Sequence, residues 1–185
     1  PNPYIKHSLV DWNISGPKKA WWYKLQLFNN QYYNGNLLYF DLDTVIVNDI
    51  DWISKLPTEY FWAIHDFKRL WRPTHNGINS SVMWWNTEKF NYVWTQADIS
   101  KEMLKYRGDQ DYISDCISPA QRCFFDVKLI KSWRWQALDG GYDFARRQHL
   151  NPGSGTNICG TSILVFHGNP KPDTVLDTTI IKHWQ

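Results

Sequence analysis

The stretch Leu37-Leu38-Tyr39-Phe40-Asp41-Leu42-Asp43-Thr44 decides the fold of this 185-residue chain. Four apolar residues in a row are typical of a short strand that is buried on both faces of a sheet. Asp41 and Asp43 end that run, and side chains two positions apart on an extended backbone point the same way. In open α/β sheets, ligands bind outside the carboxyl ends of the strands. The stretch therefore predicts an α/β fold with two carboxylates at its binding edge.

The rest of the chain alternates helix-like and strand-like segments. Apolar residues at helical spacing predict a helix from Pro17 to about Phe28, and another helix is predicted at Gln110–Ile117. Strands are predicted at residues 44–47, 61–64, 80–85, 127–130 and 162–166. Such alternation indicates a layered α/β fold. We expect one domain over residues 1–185, with a mostly parallel, twisted sheet flanked by helices.

Composition narrows the class of protein. The hydrophobic content of 43% is ordinary for a globular domain, and a net charge of +2 is too balanced for a nucleic-acid-binding surface. No apolar run approaches the ~20 residues that cross a bilayer, so no membrane span is expected. The three cysteines lack metal-site spacing, and no signal peptide precedes them, which favours reduced thiols and a cytoplasmic location.

The Asp41-x-Asp43 pair is a candidate metal site. Two carboxylates at one place repel each other unless a cation joins them. Mg²⁺ or Mn²⁺ accepts carboxylate oxygens and leaves positions for phosphates. A pair of capping or turn aspartates is the structural alternative. The motif also resembles the nucleophile motif of haloacid-dehalogenase-type phosphatases, but the acidic pair that should begin at Gly108-Asp109 fails, because Asp115 lies one residue too far.

Residues 166–172 form a second candidate binding segment, Phe-His-Gly-Asn-Pro-Lys-Pro. A neutral histidine at a strand end, such as His167, can be a metal ligand. Gly168 permits close approach to the backbone, and Lys171 can reach a phosphate as a point charge. Joined to Asp41 and Asp43, His167 supplies a third ligand, and Lys171 offsets the charge of a departing diphosphate. Glycosyl transfer from a nucleotide sugar needs this chemistry.

Four motifs occur in the order seen in GT-A glycosyltransferases: Leu37–Asp51, Asn79–Met83, Gly108–Asp111 and His167–Pro172. The set is similar to glycosyltransferase family 8, and it also resembles small bacterial and viral glycosyltransferases of the same build. The resemblance covers nearly all of residues 17–184. It implies a GT-A-like, Rossmann-related fold and a metal-dependent glycosyltransferase with Mn²⁺ or Mg²⁺, a UDP- or GDP-linked sugar donor and a glycan or other acceptor.

The resemblance also implies roles for individual residues. The expected metal ligands are Asp41, Asp43 and His167. The expected diphosphate-binding residues are Lys171 and Gly168, and those of the donor sugar are Lys24, Asn79 and Ser80. The expected catalytic residues are Asp111, Asp109 and Gln110, with Asp111 at the anomeric carbon or the acceptor hydroxyl. His65 and Asp66 are expected on the acceptor side, or else in a solvated loop.

One departure from the family pattern bears on function. GT-A proteins normally carry a β-α-β unit before the Asp-x-Asp strand, and that unit holds much of the nucleoside. Here 36 residues precede Leu37. We therefore expect an N-terminally truncated core with impaired base recognition and activity. A nucleotide- or carbohydrate-binding remnant without turnover is the main alternative to an active transferase, and a phosphatase is the third.

Overall fold

The computed structural model describes residues 19–150 and 155–184. Pro17, the predicted helix start, lies outside the described residues. The first described segment is a short helix, α1 (Lys19–Trp22), followed directly by a 3-10 helix at Tyr23–Phe28. The predicted helix is therefore present up to Phe28, with its second half in the tighter 3-10 form.

The expected alternation of helices and strands is wrong, because the remaining described elements follow one another in groups: four strands, then four α-helices, then five strands and a last helix. The other helices are α2 (Thr87–Phe90), α3 (Tyr92–Thr95), α4 (Ile99–Lys105), α5 (Asp109–Cys116) and α6 (Thr178–His183). The strands are β1 (Asn36–Phe40), β2 (Thr44–Ile46), β3 (Phe61–His65), β4 (Ile78–Asn86), β5 (Arg122–Phe124), β6 (Ile130–Ser132), β7 (Tyr142–Asp143), β8 (Gln148–His149) and β9 (Ile163–Val165). No described helix is long and apolar enough to cross a membrane.

The described strands form a four-stranded sheet in the order β1-β4-β3-β5, a three-stranded sheet in the order β2-β9-β6, and the β7-β8 hairpin. The α/β class is confirmed, but the expectation of mostly parallel strands needs correction. The β1–β4, β3–β4 and β2–β9 pairs are antiparallel, whereas β3–β5 and β6–β9 are parallel. A continuous apolar run reports burial on both faces of a strand, and an antiparallel strand between two covered faces produces the same run.

The central strand β4 shows this double burial directly. Met83 and Trp85 point into an apolar cluster that also contains Phe28 and Ile113, while the alternate Val82 packs into a second cluster with residues of β3, β6 and β9. Successive side chains of a strand point to opposite faces. Because α5 packs against β4, the first cluster fixes the start of α5 close to the strand.

The predicted strand at 127–130 begins later than expected. The carboxylate of Asp126 accepts a hydrogen bond from the backbone N–H of Lys128 at 2.8 Å, and its carbonyl accepts one from Leu129 at 3.0 Å. This local turn competes with extended structure, as aspartate side chains commonly do. The strand β6 therefore starts only at Ile130, where pairing with β9 begins.

Candidate active site

The Asp-x-Asp motif forms the turn between β1 and β2. The backbone N–H of Asp41 donates to the carbonyl of Ser81 at 2.8 Å, and the carbonyl of Asp41 accepts from the N–H of Thr44 at 3.1 Å and from its hydroxyl at 2.7 Å. Both carboxylates are partly buried, whereas Leu42 between them is 93% exposed. The end of the first sheet and the start of the second therefore meet at these carboxylates.

Asp41 is bound by two side chains. The hydroxyl of Tyr39 donates to Oδ1 at 2.7 Å, and the ammonium of Lys24 lies 2.8 Å from the same oxygen. Burial, followed by the negative charge of Asp41, raises the pKa of the Tyr39 hydroxyl. Tyr39 therefore remains a donor at any physiological pH, and it holds the Asp41 carboxylate in position.

Lys24 is a buried cation between two carboxylates. Its ammonium lies 3.3 Å from Oδ2 of Asp109, and it also donates to the hydroxyl of Ser80 at 3.1 Å. Burial alone would lower the pKa of Lys24, but the charges of Asp109 and Asp41 outweigh it and raise the pKa. Lys24 thus joins the 3-10 helix at Tyr23–Phe28 to β4, α5 and the Asp-x-Asp turn.

The start of α5 supplies the expected catalytic residues. Asp109 is 4% exposed and accepts from the Ser80 hydroxyl at 3.0 Å, and burial raises the pKa of its carboxyl despite Lys24 and Ser80. Gln110 accepts from the backbone N–H of Ser80 at 3.3 Å through Oε1 and donates to Asp66 at 3.4 Å through Nε2. Asp111 is half-buried in the first turn and makes no side-chain hydrogen bond or ion pair with any described residue.

Asp66 extends this polar network to the end of β3. Its carboxylate accepts from the backbone N–H of Lys68 at 2.9 Å, lies 3.1 Å from the Lys68 ammonium and 3.0 Å from Nε2 of His75. Burial opposes its ionisation, but hydrogen bonds from Lys68 and His75 prevail and lower the pKa. Asp66 is therefore an ionised, buried anchor that touches Gln110, and a solvated-loop role is wrong for it.

His65, the neighbour of Asp66, is held differently. Its ring stacks on Phe124 with centroids 3.4 Å apart, and its Nε2 contacts the guanidinium of Arg69. Burial, followed by the positive charges of Arg69 and Arg122, lowers the pKa of His65 to about 4. The imidazole is neutral at neutral pH.

The His167 segment lies beside the Asp-x-Asp turn. The backbone N–H of Phe166 donates to the carbonyl of Asp43 at 2.9 Å. Nε2 of the imidazole lies 2.6 Å from the hydroxyl oxygen of Ser132. The centroid of the imidazole ring lies 4.0 Å from that of the Trp135 ring. Burial, followed by the charge of Arg134, lowers the pKa of His167 to about 4. His167 is therefore the neutral imidazole that metal ligation requires.

Lys171 and Gly168 lie on the same segment. The Lys171 ammonium is 2.5 Å from Oδ2 of Asp43. Gly168 has a φ of 81°, a left-handed conformation that favours glycine, and open space surrounds the position of a Cβ. Asn79 accepts from the backbone N–H of Ser81 at 3.0 Å, which shapes β4 near its start. All the expected donor-side residues therefore lie around the Asp-x-Asp turn or on β4 beside it.

The three expected metal ligands, Asp41, Asp43 and His167, suit a divalent metal only in part. Each carboxylate is paired with a lysine, and Nε2 of His167 is engaged with Ser132. Over residues 19–150 and 155–184, no group of three or more His, Cys, Asp or Glu is arranged to hold a metal ion. Metal binding would use the two carboxylates together with phosphate oxygens, after Lys171 has moved from Asp43.

Several residues of this site were not identified in the sequence. Tyr39, Lys68, His75 and Ser132 hold the named carboxylates and imidazole in place. Tyr39 lies two positions before Asp41 on β1, so the period-2 alternation of a strand could have indicated it. Lys68 follows Asp66 by two positions, at the start of a 3-10 helix that Asp66 caps, so its contact is local as well. His75 and Ser132 lie 9 and 35 residues from the side chains they contact, so their approach depends on the tertiary fold.

Comparison with known proteins bears on the fold of the chain. No family model and no curated protein matches the sequence. Among solved structures, the chain is similar to the bifunctional glycosyltransferase WbbM (TM-score 0.60, 11% identity, covering 91% of this chain and 36% of WbbM). It is also similar to an active-site mutant of LgtC (TM-score 0.52, 16% identity, 84% and 61% coverage) and to the glycosyltransferase GlyE of Streptococcus pneumoniae TIGR4 (0.52, 16%, 84% and 39%).

At these identities the similarity concerns the fold. The chain spans less than two thirds of the length of each of these proteins: 36% of WbbM, 61% of LgtC and 39% of GlyE. The chain has a GT-A-like glycosyltransferase fold.

Proposed function

We propose that this chain is the catalytic part of a metal-dependent glycosyltransferase that takes a sugar from a UDP- or GDP-linked donor and passes it to a glycan or other acceptor hydroxyl. One observation carries the proposal. The ammonium of Lys171 contacts the carboxylate of Asp43. This contact brings a cation that can bind phosphate next to the Asp41 and Asp43 carboxylates. A glycosyltransferase fold surrounds these groups.

In the proposed complex, the donor diphosphate displaces the Lys171 ammonium from Asp43 and lies next to both residues. Lys171 is exposed enough to turn from Asp43 to a phosphate oxygen, where its charge stabilises the leaving group. Gly168 allows the diphosphate to approach the backbone. Bound Mn²⁺ or Mg²⁺ would supply a Lewis acid at the phosphates, held by Asp41 and Asp43. Contact with His167 would need the imidazole to leave Ser132.

The donor sugar would lie over the start of α5. Lys24, Ser80 and Asp109 form a buried, mutually paired group there, which fixes β4 and the start of α5 at the border of the sugar site. The bond between the anomeric carbon and the diphosphate oxygen breaks as the acceptor oxygen bonds to that carbon. The acceptor proton must pass to a base, and Asp111 has a carboxylate without a described partner.

The decisive experiment joins binding to turnover. UDP- and GDP-sugars, each with and without Mn²⁺, should raise the melting temperature by mass action, since the ligand binds the native state. The expected result is a metal-dependent increase, followed by release of nucleoside diphosphate on addition of an acceptor. The Asp41→Asn, Asp43→Asn double variant is the control and should lose the metal-dependent part. Absence of stabilisation by every donor and metal would reject the proposal.

A binding protein without turnover is the second candidate. It is favoured by the pairing of Asp41 with Lys24 and of Asp43 with Lys171, which neutralises both carboxylates without a metal. It predicts nucleotide or sugar binding that Mn²⁺ does not strengthen and no product with any donor. The phosphatase alternative gains nothing, because Asp115 is bound to Tyr106 and Lys105 at the surface.

A further inference from the structure

A cavity of about 270 Å³ opens beside the candidate active site. Its apolar walls come from the end of β3, the 3-10 helix at Phe67–Leu70 and the segment that leads from β5 into β6. They consist of Ile64, Phe67, Leu70, Phe125, Val127 and Ile130. None of the roles assigned above uses these apolar residues. Leu70 and Val127 are 41% and 57% exposed, so they form the rim through which a ligand would enter.

Two polar groups in the wall, the Asp66 carboxylate and Oε1 of Gln136, are already hydrogen-bonded, and the guanidinium of Arg69 contacts His65. Asp66 is bound by Lys68, His75 and Gln110. Oε1 of Gln136 accepts from the backbone N–H of Ser132 at 2.9 Å. Because six of the ten residues that line the cavity are apolar, a ligand with many hydroxyls would leave several of them buried and unpaired here, which is unfavourable. The cavity therefore suits an apolar or aromatic group with few polar atoms.

His65 offers one hydrogen bond to such a group. A guanidinium can only donate, so the contact with Arg69 makes Nε2 of His65 the acceptor. The neutral imidazole then carries its proton on Nδ1. That nitrogen is buried and has no hydrogen-bond partner among the described residues. A ligand oxygen at the wall of the cavity could accept this proton.

The location of the cavity relates it to the acceptor. Asp66 in its wall is hydrogen-bonded to Gln110 at the start of α5, and Phe67 stacks on His167 with ring centroids 5.2 Å apart. The diphosphate is assigned to Asp43 and Lys171, and neither of them lines the cavity. An occupant of the cavity would thus lie next to the start of α5 and to the His167 ring, without displacing the donor's leaving group.

We propose that this cavity binds the apolar portion of the acceptor, an aryl or short alkyl aglycone joined to the accepting sugar, with Nδ1 of His65 donating to the linking oxygen. This inference rests on the proposed transferase function, and it adds the substrate class. The volume of the cavity lies just below the roughly 300–1,000 Å³ of sites that bind drug-sized ligands. Such a volume suits a phenyl ring better than a second sugar bearing several hydroxyls.

Calorimetry on the intact chain tests the proposal with matched glycosides. Phenyl and methyl β-glucosides, and the corresponding galactosides, are titrated in the presence of the nucleoside diphosphate and Mn²⁺. At least one phenyl glycoside should bind tenfold or more tightly than its methyl counterpart. Val127→Asp at the rim should abolish that preference, whereas Leu104→Asp, at a 91% exposed position on α4, should retain it. His65→Phe keeps a ring against Phe124 and should weaken phenyl glycoside binding several-fold.

Failure of this inference is distinct from failure of the transferase proposal. If donors bind and turn over but phenyl and methyl glycosides bind equally, the aglycone assignment is overturned and the transferase stands. A phenyl preference that survives in Val127→Asp places the ligand elsewhere and also overturns it. If phenyl glycosides bind at the rim while no donor is ever turned over, the acceptor assignment falls together with the transferase.

Discussion

The ammonium of Lys171 lies 2.5 Å from Oδ2 of Asp43, which ties the loop after β9 to the turn between β1 and β2. Asp41, two residues earlier, is held in the same manner by Lys24 at 2.8 Å. The two pairs differ in exposure: the Lys24 side chain is 9% exposed and that of Lys171 is 45% exposed. An exposed ion pair contributes only about 0.2–1 kcal/mol to stability. The contact between Lys171 and Asp43 can therefore be replaced by contacts with a ligand at little cost in free energy.

Replacement of Lys171 separates its two roles. In Lys171→Met, Asp43 loses a competing cation, so the affinity for Mn²⁺ alone should rise several-fold. The affinity for a nucleoside diphosphate with Mn²⁺ should fall tenfold or more, because a phosphate loses its positive partner. Calorimetric titrations measure both constants, with Lys182→Met on α6 as the matched control. Unchanged diphosphate affinity would remove Lys171 from the donor site.

Replacement of Lys24 should chiefly reduce stability. Lys24→Met leaves Asp41 and Asp109 facing each other without a cation, and breaking a buried pair typically costs about 3–5 kcal/mol. Urea unfolding at pH 7 measures the loss. The deficit should shrink as the pH falls, because the raised pKa of Asp109 allows its carboxyl to become protonated and remove the repulsion. Addition of Asp109→Asn should restore much of the stability, and if it does not, the repulsion is not the cause.

Asp111 and Asp109 should differ in what they control. Asp111→Asn should leave the melting temperature and diphosphate binding nearly intact, because no described residue binds that carboxylate. It should lower sugar transfer by about 100-fold or more, the scale of a positioned base. Asp109→Asn should lower stability, since it weakens the contact with Lys24. Turnover within a few-fold of wild type in Asp111→Asn would leave that residue a helix-start charge and make Asp109 the next candidate.

The neutral His167 imidazole predicts a pH dependence of folding. Its pKa is lowered from 6.5 to about 4 in the folded chain. The unfolded chain therefore binds a proton that the folded chain does not, and stability is lost as the pH falls from about 6.5 towards 4. The loss from this one group is up to roughly 3 kcal/mol. Titration of the His167 ring protons by NMR checks the cause, and a midpoint near 6.5 would contradict it.

The amino-acid sequence predicts the short-range features of the fold. The Asp-x-Asp pair follows a buried strand because four apolar residues precede it, and the helix at 110–117 was placed to within one residue at each end. The strand at 127–130 was misplaced because the Asp126 carboxylate offers the backbone a turn. The choice between a turn and a strand depends here on a single side-chain hydrogen bond, and the spacing of apolar residues carries no information about that bond.

The sequence indicates which segments form the candidate site, but it does not indicate which side chains its residues contact. Asp41, Asp43, Gly168 and Lys171 were grouped from motif order, and the hydrogen bond from Phe166 to Asp43 places their segments side by side. The direction of the His167 imidazole towards Ser132 could not be foreseen, because it depends on the packing of Trp135 against the ring. Orientation is set by neighbours that are distant in sequence.

The sequence by itself determined the α/β class and the position of the acidic turn, because apolar runs, strand period and turn chemistry are local properties. Several residues expected around that turn came from the resemblance to GT-A glycosyltransferases. Tertiary structure alone decided the strand directions, since burial on both faces of β4 looks the same in parallel and antiparallel sheets. It also decided which lysine neutralises which aspartate and where the apolar cavity lies. Those depend on how long side chains and separate loops pack together, which no pattern along one chain encodes.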